Sequence, residues 1–161
     1  MDVGVTGRVY VETSVLGYLT ARPSRDLLVA AHQQITSDWW AAGRQVFDCY
    51  ISQAVLEEAA GGDPEAAKRR LAVVRDMPLL SVTDDAMRLA DDLVAAGAIP
   101  AEAAEDALHI ALAAVHGMDY LLTWNCRHIA NATMRNRIAD VCADHGYVPP
   151  VICTPEELPN D

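Results

Sequence analysis

The sequence predicts an α/β fold, a three-layer α/β/α sandwich with a small, mainly parallel central sheet. Three observations lead to this prediction. Short β-rich runs alternate with Ala- and Leu-rich segments of helical periodicity, which is typical of a parallel sheet with helices on both faces. The length of 161 residues suits one domain over residues 1–161, and 52% hydrophobic residues suffice for a core. No linker or internal repeat interrupts the pattern.

The first half of the chain is predicted to hold two strands and three helices. Asp63 and Pro64 suit the N-cap and the first turn of a helix. The helix after Ser24 is expected to bury an apolar face that recurs every four residues, at Leu27, Ala31, Ile35 and Trp39. The predicted elements are a strand over Arg8–Val11, a helix after Ser24, a strand over residues 47–52, a helix over 53–60 and a helix from 63 to about 76.

The second half continues the alternation. Thr83 is a suitable helix N-cap, and Gly97, Gly117 and Gly146 each follow a predicted helix. The predicted elements are a strand over residues 79–82, a helix over 83–96, a helix over 101–116, a strand over 120–123, a helix over 133–145 and a strand over Val151–Cys153. In a parallel sheet the carboxyl ends of the strands share one edge, where sites form. Polar residues near that edge are therefore the candidates for function.

Acidic and amide side chains occur near several of these strand ends. Asp106 shares an otherwise apolar helical stripe with Ile110 and Ala114, where a carboxylate is costly unless it is paired or binds a metal. Converging carboxylates would bind Mg²⁺ or Mn²⁺, and such ions can activate water for attack on a phosphodiester. The candidate positions are Glu12 after the first strand, Glu57 and Glu58 after the second, Asp106 with Glu105 before the fourth, and Asn125 after the fourth.

Each candidate also has an ordinary structural interpretation. An acid in the first turn of a helix, such as Asp106, favours the helix dipole. Glu57 and Glu58 suit a solvated helix face, and only one of them can point the same way as Val55. Asn125 suits a turn. A glutamate at a strand end is harder to explain in this way, because strands disfavour it.

Neighbouring polar residues allow two interpretations as well. Arg127 and His128 follow the fourth strand, where they would contact either a phosphate or solvent. His109 and His116 lack the spacing of a zinc site, so His109 is interpreted as a core or surface histidine. Three hydroxyl residues are expected either to orient carboxylates or to make ordinary turn hydrogen bonds: Thr13, Ser14 and Thr123.

The charge balance and the termini limit the classes of function. A net charge of −11, from 12 basic and 23 acidic residues, argues against a broad basic surface that binds nucleic acid by counterion release, and favours a basic partner. Residues 1–4 are unlike a signal peptide, and no apolar run approaches about 18 residues. The four cysteines lack disulfide or zinc spacing and are expected to be free buried thiols. We therefore expect a cytoplasmic protein without a membrane segment.

Four short motifs occur in order along nearly the whole chain: VETS at residues 11–14, SQAVLEE at 52–58, DALHIA at 106–111 and LLTWN at 121–125. Together they resemble the PIN-domain family, and its VapC-like toxin ribonucleases in particular. In this resemblance the spacing of the second motif favours Glu58 over Glu57. Two positions depart from the family pattern, since Glu12 replaces the usual aspartate and Asn125 replaces a frequent fourth aspartate. Both changes should weaken metal affinity.

The resemblance implies a PIN-like fold and a metal-dependent endoribonuclease with RNA as substrate. It also implies a cognate antitoxin protein as partner and a homodimer, for which the Ala-rich helices are suited. The implied ligands of Mg²⁺ or Mn²⁺ are Glu12, Glu58, Asp106 and Asn125, with support from Thr13, Ser14, Glu57, Glu105, Thr123 and His128.

Two other functions are compatible with the sequence. The departures at Glu12 and Asn125 favour a catalytically weakened or inactive PIN-like module that binds RNA or protein. A small phosphotransfer or hydrolase domain is the other. It would need an aspartyl nucleophile after the first strand, where Glu12 stands, and the chain has no Gly-rich phosphate loop.

Overall fold

The computed structural model describes residues 7–159. Within them, five strands form one parallel sheet: β1 (Arg8–Val11), β2 (Asp48–Ser52), β3 (Leu79–Leu80), β4 (Tyr120–Leu122) and β5 (Val151–Cys153). Seven α-helices flank it: α1 (Thr13–Thr20), α2 (Leu27–Val46), α3 (Gln53–Ala59), α4 (Pro64–Val73), α5 (Asp84–Ala95), α6 (Ala104–Val115) and α7 (Arg135–Asp144). The predicted α/β fold is confirmed and is consistent with a three-layer sandwich. All strand pairs are parallel.

The strand order β3-β2-β1-β4-β5 places β1 at the centre of the sheet. Val9, Tyr10 and Val11 are fully buried, as expected for a parallel strand covered on both faces. Strands β2 and β3 lie on one side of β1, and β4 and β5, which follow later in the chain, lie on the other side. This reversal leaves a crevice beyond the carboxyl ends of β1 and β4, which is where open α/β sheets bind ligands.

Helix α1 begins directly after β1, where no helix was predicted. The side chain of Glu12 caps this helix by accepting a hydrogen bond from the backbone N–H of Ser14. The helix has eight residues, and one of them is Gly17. Local propensity is too weak to form a helix of this length, so packing of the buried Val15 and Leu16 stabilises it.

Helix α2 begins after Asp26 as N-cap rather than after Ser24, and its buried face differs from the prediction. Leu27 is 88% exposed and Ala31 is also exposed. Residues four apart on a helix are rotated by roughly 40° beyond a full turn, so Leu27 and Trp39 point about 120° apart. The predicted four-residue repeat therefore drifts around the helix. The face that is buried contains Thr36, Trp39 and Gly43.

The remaining elements match the prediction, with ends shifted by a few residues. Asp63 and Thr83 cap α4 and α5 through their side chains, as expected. The helix predicted over residues 101–116 begins instead as a 3-10 turn, Ala101–Ala103, before α6. The four cysteines are free, but Cys126 is exposed rather than buried because it lies in the loop after β4.

No helix in the described part of the chain has both the length and the apolar character that crossing a membrane requires. Residues 1–4, where we expect no signal peptide, lie outside the described residues.

Candidate metal centre

Glu12 lies at the centre of the crevice, immediately after β1, and is only 4% exposed. Its Oε1 accepts hydrogen bonds from the hydroxyls of Ser14 and Thr123, each at 2.5 Å. Its Oε2 accepts a hydrogen bond from the backbone N–H of Ser14 at 3.0 Å. Because Thr123 follows β4, this carboxylate connects the carboxyl ends of two neighbouring strands.

Glu58 approaches the same crevice from α3, which begins directly after β2. Its side chain is 29% exposed, whereas Glu57 on the same helix is exposed to solvent. Its Oε1 accepts a hydrogen bond from the hydroxyl of Thr13 at 2.7 Å and lies 2.5 Å from Nε2 of His109. The structure thus places Glu58, and not Glu57, among the central groups.

His109 belongs to this centre, although no functional role was predicted for it from the sequence. It is fully buried on α6, as the core interpretation expected. Among the described residues, Glu12, Glu58 and His109 bring one potential ligand atom each to within 4.8 Å of the others. The available signal was a histidine inside an apolar helical segment, one turn after Asp106. Its partners come from distant segments and could not be found from this local pattern.

A chain of hydrogen bonds runs behind His109 into the core. Its Nδ1 lies 2.6 Å from the hydroxyl of Tyr10, and that hydroxyl lies 2.8 Å from the hydroxyl of Ser52. Ser52 also caps α3, because its hydroxyl accepts a hydrogen bond from the backbone N–H of Val55 at 3.3 Å. The last residue of β2 therefore holds both the helix that carries Glu58 and the tyrosine that contacts His109.

The electrostatic environment favours a charged pair of Glu58 and His109. Burial raises the pKa of Glu58, but the hydrogen bond and charge of His109 and the hydroxyl of Thr13 outweigh it, so the pKa falls below 4.5. Burial lowers the pKa of His109, but the hydrogen bond and charge of Glu58 prevail and raise it above 6.5. Burial also raises the pKa of Tyr10 well above its ordinary value, so its hydroxyl stays neutral.

Asp106 lies in the first turn of α6, beside the centre. Its Oδ2 pairs with Nδ1 of His128 at 3.0 Å, which provides the partner that a carboxylate on this stripe requires. Asp106 is not one of the three residues within 4.8 Å of one another, but its negative charge contributes to the raised pKa of His109. It therefore borders the central group.

Asn125 occupies the loop after β4 as a turn residue. Its Oδ1 accepts a hydrogen bond from the backbone N–H of His128 at 3.1 Å, which holds the imidazole that pairs with Asp106. The hydroxyls of Ser14 and Thr123 accept the backbone N–H groups of Trp124 and Asn125, at 2.8 and 2.9 Å. The same two hydroxyls donate to Glu12, so the loop and the carboxylate are fixed together.

A cleft of about 340 Å³ opens beside Glu58 and His109. Two exposed acids, Glu57 and Glu105, contribute to its wall, and none of the described lysines or arginines lines it. The cleft concentrates negative charge and so attracts cations. Its lining residues are Ala54, Glu57, Glu58, Gly61, Glu105, Leu108 and His109.

The arrangement fits a hard divalent cation. Carboxylate oxygens are the side-chain ligands that Mg²⁺ and Mn²⁺ prefer. Within residues 7–159, no hydrogen-bond donor reaches Oε2 of Glu58, and no lysine or arginine forms an ion pair with Glu12, Glu58 or Asp106. The centre therefore has an available oxygen on Glu58, and no described lysine or arginine neutralises its carboxylates.

No protein-family model matches the chain, and no curated protein matches it.

Proposed function

We propose that the chain is a metal-dependent endoribonuclease of the PIN-domain type, resembling the VapC-like toxins. The observation that carries the proposal is the convergence of Glu12, Glu58 and His109 beyond the carboxyl ends of parallel strands, with Asp106 beside them. The resemblance supports it, since these residues come from three of the four motifs that resemble the family.

Mg²⁺ or Mn²⁺ is the proposed cofactor, with Glu12, Glu58 and Asp106 as the residues that would hold it. When bound, such an ion polarises a phosphodiester and lowers the pKa of water. The chain itself fixes the carboxylates: Ser14 and Thr123 hold Glu12 through hydrogen bonds. Asn125 supports the turn that carries His128, in addition to any contact with the ion.

RNA is the proposed substrate, and the proposed partner is a cognate antitoxin protein. The net charge of −11 favours a basic antitoxin, whose cationic side chains would complement the acidic cleft. We also propose a homodimer, on the basis of the resemblance, and a cytoplasmic location, on the basis of the free cysteines. Sedimentation of the purified chain tests the dimer.

The central experiment is cleavage of synthetic RNA by the purified chain, free of any other protein. Cleavage should require Mg²⁺ or Mn²⁺, stop with a chelator and fall on the order of 100-fold or more in Asp106→Asn, because a metal ion contributes several kcal/mol of charge stabilisation. Asp92→Asn is the matched control. Asp92 also pairs with a histidine, His145, at 2.7 Å, but it lies on α5 and is exposed.

Two results would reject the nuclease. One is a chain that stays inert with every divalent metal tested. The other is an Asp106→Asn variant that cleaves as fast as the unaltered chain while both are folded by circular dichroism. If Asp92→Asn loses as much activity as Asp106→Asn, the loss follows from breaking any carboxylate–histidine pair and is not specific to the metal centre.

One observation favours an inactive module as a second candidate. Both carboxylate oxygens of Glu12 already accept hydrogen bonds from the chain, so this group is satisfied without a cation. Titration calorimetry with Mn²⁺ separates the two candidates. Stoichiometric binding that disappears in Glu58→Gln supports the metal centre, whereas the absence of site-specific binding supports the module.

A further inference from the structure

The two carboxylate oxygens of Glu58 have different surroundings. Oε1 is the atom that both Thr13 and His109 approach, at 2.7 and 2.5 Å. Oε2 receives no hydrogen bond from the described residues, and the side chain is 29% exposed at the cleft. Two donors on one oxygen restrict rotation of the carboxylate and leave the other oxygen available.

His109 is itself held in a fixed orientation. It is fully buried, its Nε2 is used by Glu58, and its Nδ1 lies 2.6 Å from the hydroxyl of Tyr10. The tyrosine ring lies against the imidazole as well, with ring centroids 5.7 Å apart and planes tilted by 60°. An imidazole with partners on both nitrogens cannot turn without losing at least one hydrogen bond in a buried environment.

Direct ligation of a cation by His109 conflicts with this geometry. Neighbouring ligands of an octahedral Mg²⁺ or Mn²⁺ ion lie about 3 Å apart, because each is about 2.1 Å from the metal. Nε2 of His109 and Oε1 of Glu58 are only 2.5 Å apart. The two atoms are therefore a hydrogen-bonded pair, and they do not serve together as ligands in this arrangement.

We infer that His109 is a positioning residue, whose Nε2–H holds Oε1 of Glu58 so that Oε2 is the oxygen presented to a divalent cation. Tyr10 acts one step further back by fixing the imidazole. The inference rests on the metal centre of the proposed function. Groups that orient a ligand in this way typically contribute 10- to 100-fold to metal affinity.

The first test uses the unaltered chain, so it does not depend on whether a variant folds. Nuclear magnetic resonance of nitrogen-labelled histidine reports whether each ring nitrogen carries a proton. On addition of Mg²⁺, Nε2 of His109 should keep its proton, while resonances of the neighbouring backbone shift. If Mg²⁺ removes that proton, His109 is a ligand and the inference is overturned.

The second test compares two substitutions at the same position by calorimetry with Mn²⁺. His109→Leu removes the donor and should weaken binding by roughly 10- to 100-fold. His109→Gln keeps a side-chain N–H and should recover part of the affinity, which a purely structural role would not produce. His145→Leu is the matched control, since it deletes a histidine that pairs with a carboxylate on α5, and it should bind Mn²⁺ like the unaltered chain.

The outcomes distinguish this inference from the nuclease proposal. Unchanged affinity in a folded His109→Leu overturns the positioning role and leaves the nuclease standing. Mn²⁺ binding that depends on His109, in a chain that cleaves no RNA, supports the positioning role and rejects the nuclease. A chain without any Mn²⁺ site overturns both.

Discussion

Glu12 is a buried carboxylate whose charge is stabilised by hydrogen-bond donors. The donors belong to Ser14 and Thr123, and no described lysine or arginine pairs with the carboxylate. Hydrogen bonds to charged groups contribute about 1.5–3 kcal/mol each, so three of them offset much of the cost of burial. The glutamate uses its length to span from β1 to Thr123, the residue after β4.

The Glu58–His109 pair gives a prediction for stability against pH in the metal-free chain. Because the pKa of Glu58 is lower in the folded chain than the 4.5 of the unfolded chain, its carboxylate stabilises the fold above pH 4.5. This contribution is lost as the pH falls through the pKa of the folded chain. Because the pKa of His109 is higher in the folded chain than the 6.5 of the unfolded chain, its imidazole stabilises the fold below pH 6.5. This contribution is lost as the pH rises through the pKa of the folded chain. The pair should therefore stabilise the fold most between pH 4.5 and pH 6.5.

Urea denaturation across this pH range, with a chelator present, measures the effect. The difference in unfolding free energy between the unaltered chain and Glu58→Gln should be largest inside the window and should shrink on both sides. A difference that does not vary with pH would contradict the charged pair. The pair of His145 and Asp92 provides a control, because its carboxylate is 57% exposed and exposed ion pairs contribute only about 0–1 kcal/mol.

At the scale of the elements, α2 shows how packing selects a residue against its helix propensity. Gly43 lies one turn after Trp39, and a Cβ on Gly43 would lie 2.5 Å from Cε2 of that indole. The indole has no room to move, because its Nε1 donates to the backbone carbonyl of Leu158 at 3.0 Å and its ring stacks with Phe47. Glycine is therefore required at position 43, where the indole of Trp39 lies against the backbone of its own helix.

We expect Gly43→Ala to lower the free energy of unfolding by about 1–3 kcal/mol, because the overpacking outweighs the helix propensity that alanine adds. Gly17→Ala is the matched substitution in α1, where a Cβ meets no atom within 4 Å. It should raise the free energy of unfolding by up to about 1 kcal/mol. Urea denaturation measures both, and equal stabilisation by the two substitutions would contradict the role assigned to Trp39.

Local signals predicted many of the elements, and the misses have physical causes. Asp63 and Thr83 were predicted as caps because an N-cap acts on a backbone N–H three residues away. The short helix α1 escaped prediction because its stability comes from packing rather than propensity. The buried face predicted for α2 was wrong because a four-residue repeat drifts around a helix with 3.6 residues per turn.

The whole molecule combines a strong negative charge with an edge of the sheet that concentrates carboxylates. Of its 35 charged residues, counting 12 Lys and Arg with 23 Asp and Glu, the acids dominate. The topology brings Glu12, Glu58 and Asp106 towards one edge, since the segments that carry them all approach the carboxyl ends of parallel strands. A divalent cation that binds only the folded state should therefore stabilise the whole chain.

Thermal unfolding tests this expectation. Mg²⁺ or Mn²⁺ at 100 times its dissociation constant should stabilise the fold by about 2.7 kcal/mol and raise the Tm accordingly. KCl at equal ionic strength controls for screening of the net charge. Glu58→Gln should lose most of the shift caused by the divalent ion. An equal rise in Tm with KCl would assign the effect to screening and would contradict a specific site.

The sequence by itself determined the α/β alternation, most of the strands and helices, and the polar residues near the strand ends, because these follow from periodicity and from contacts a few residues long. The tertiary structure decided which groups meet. It selected Glu58 over Glu57, paired Asp106 with His128, and brought His109 between Tyr10 and Glu58. Those contacts join residues 22 to 99 positions apart, so they depend on how the strands are ordered in the sheet, and no local pattern contains that order.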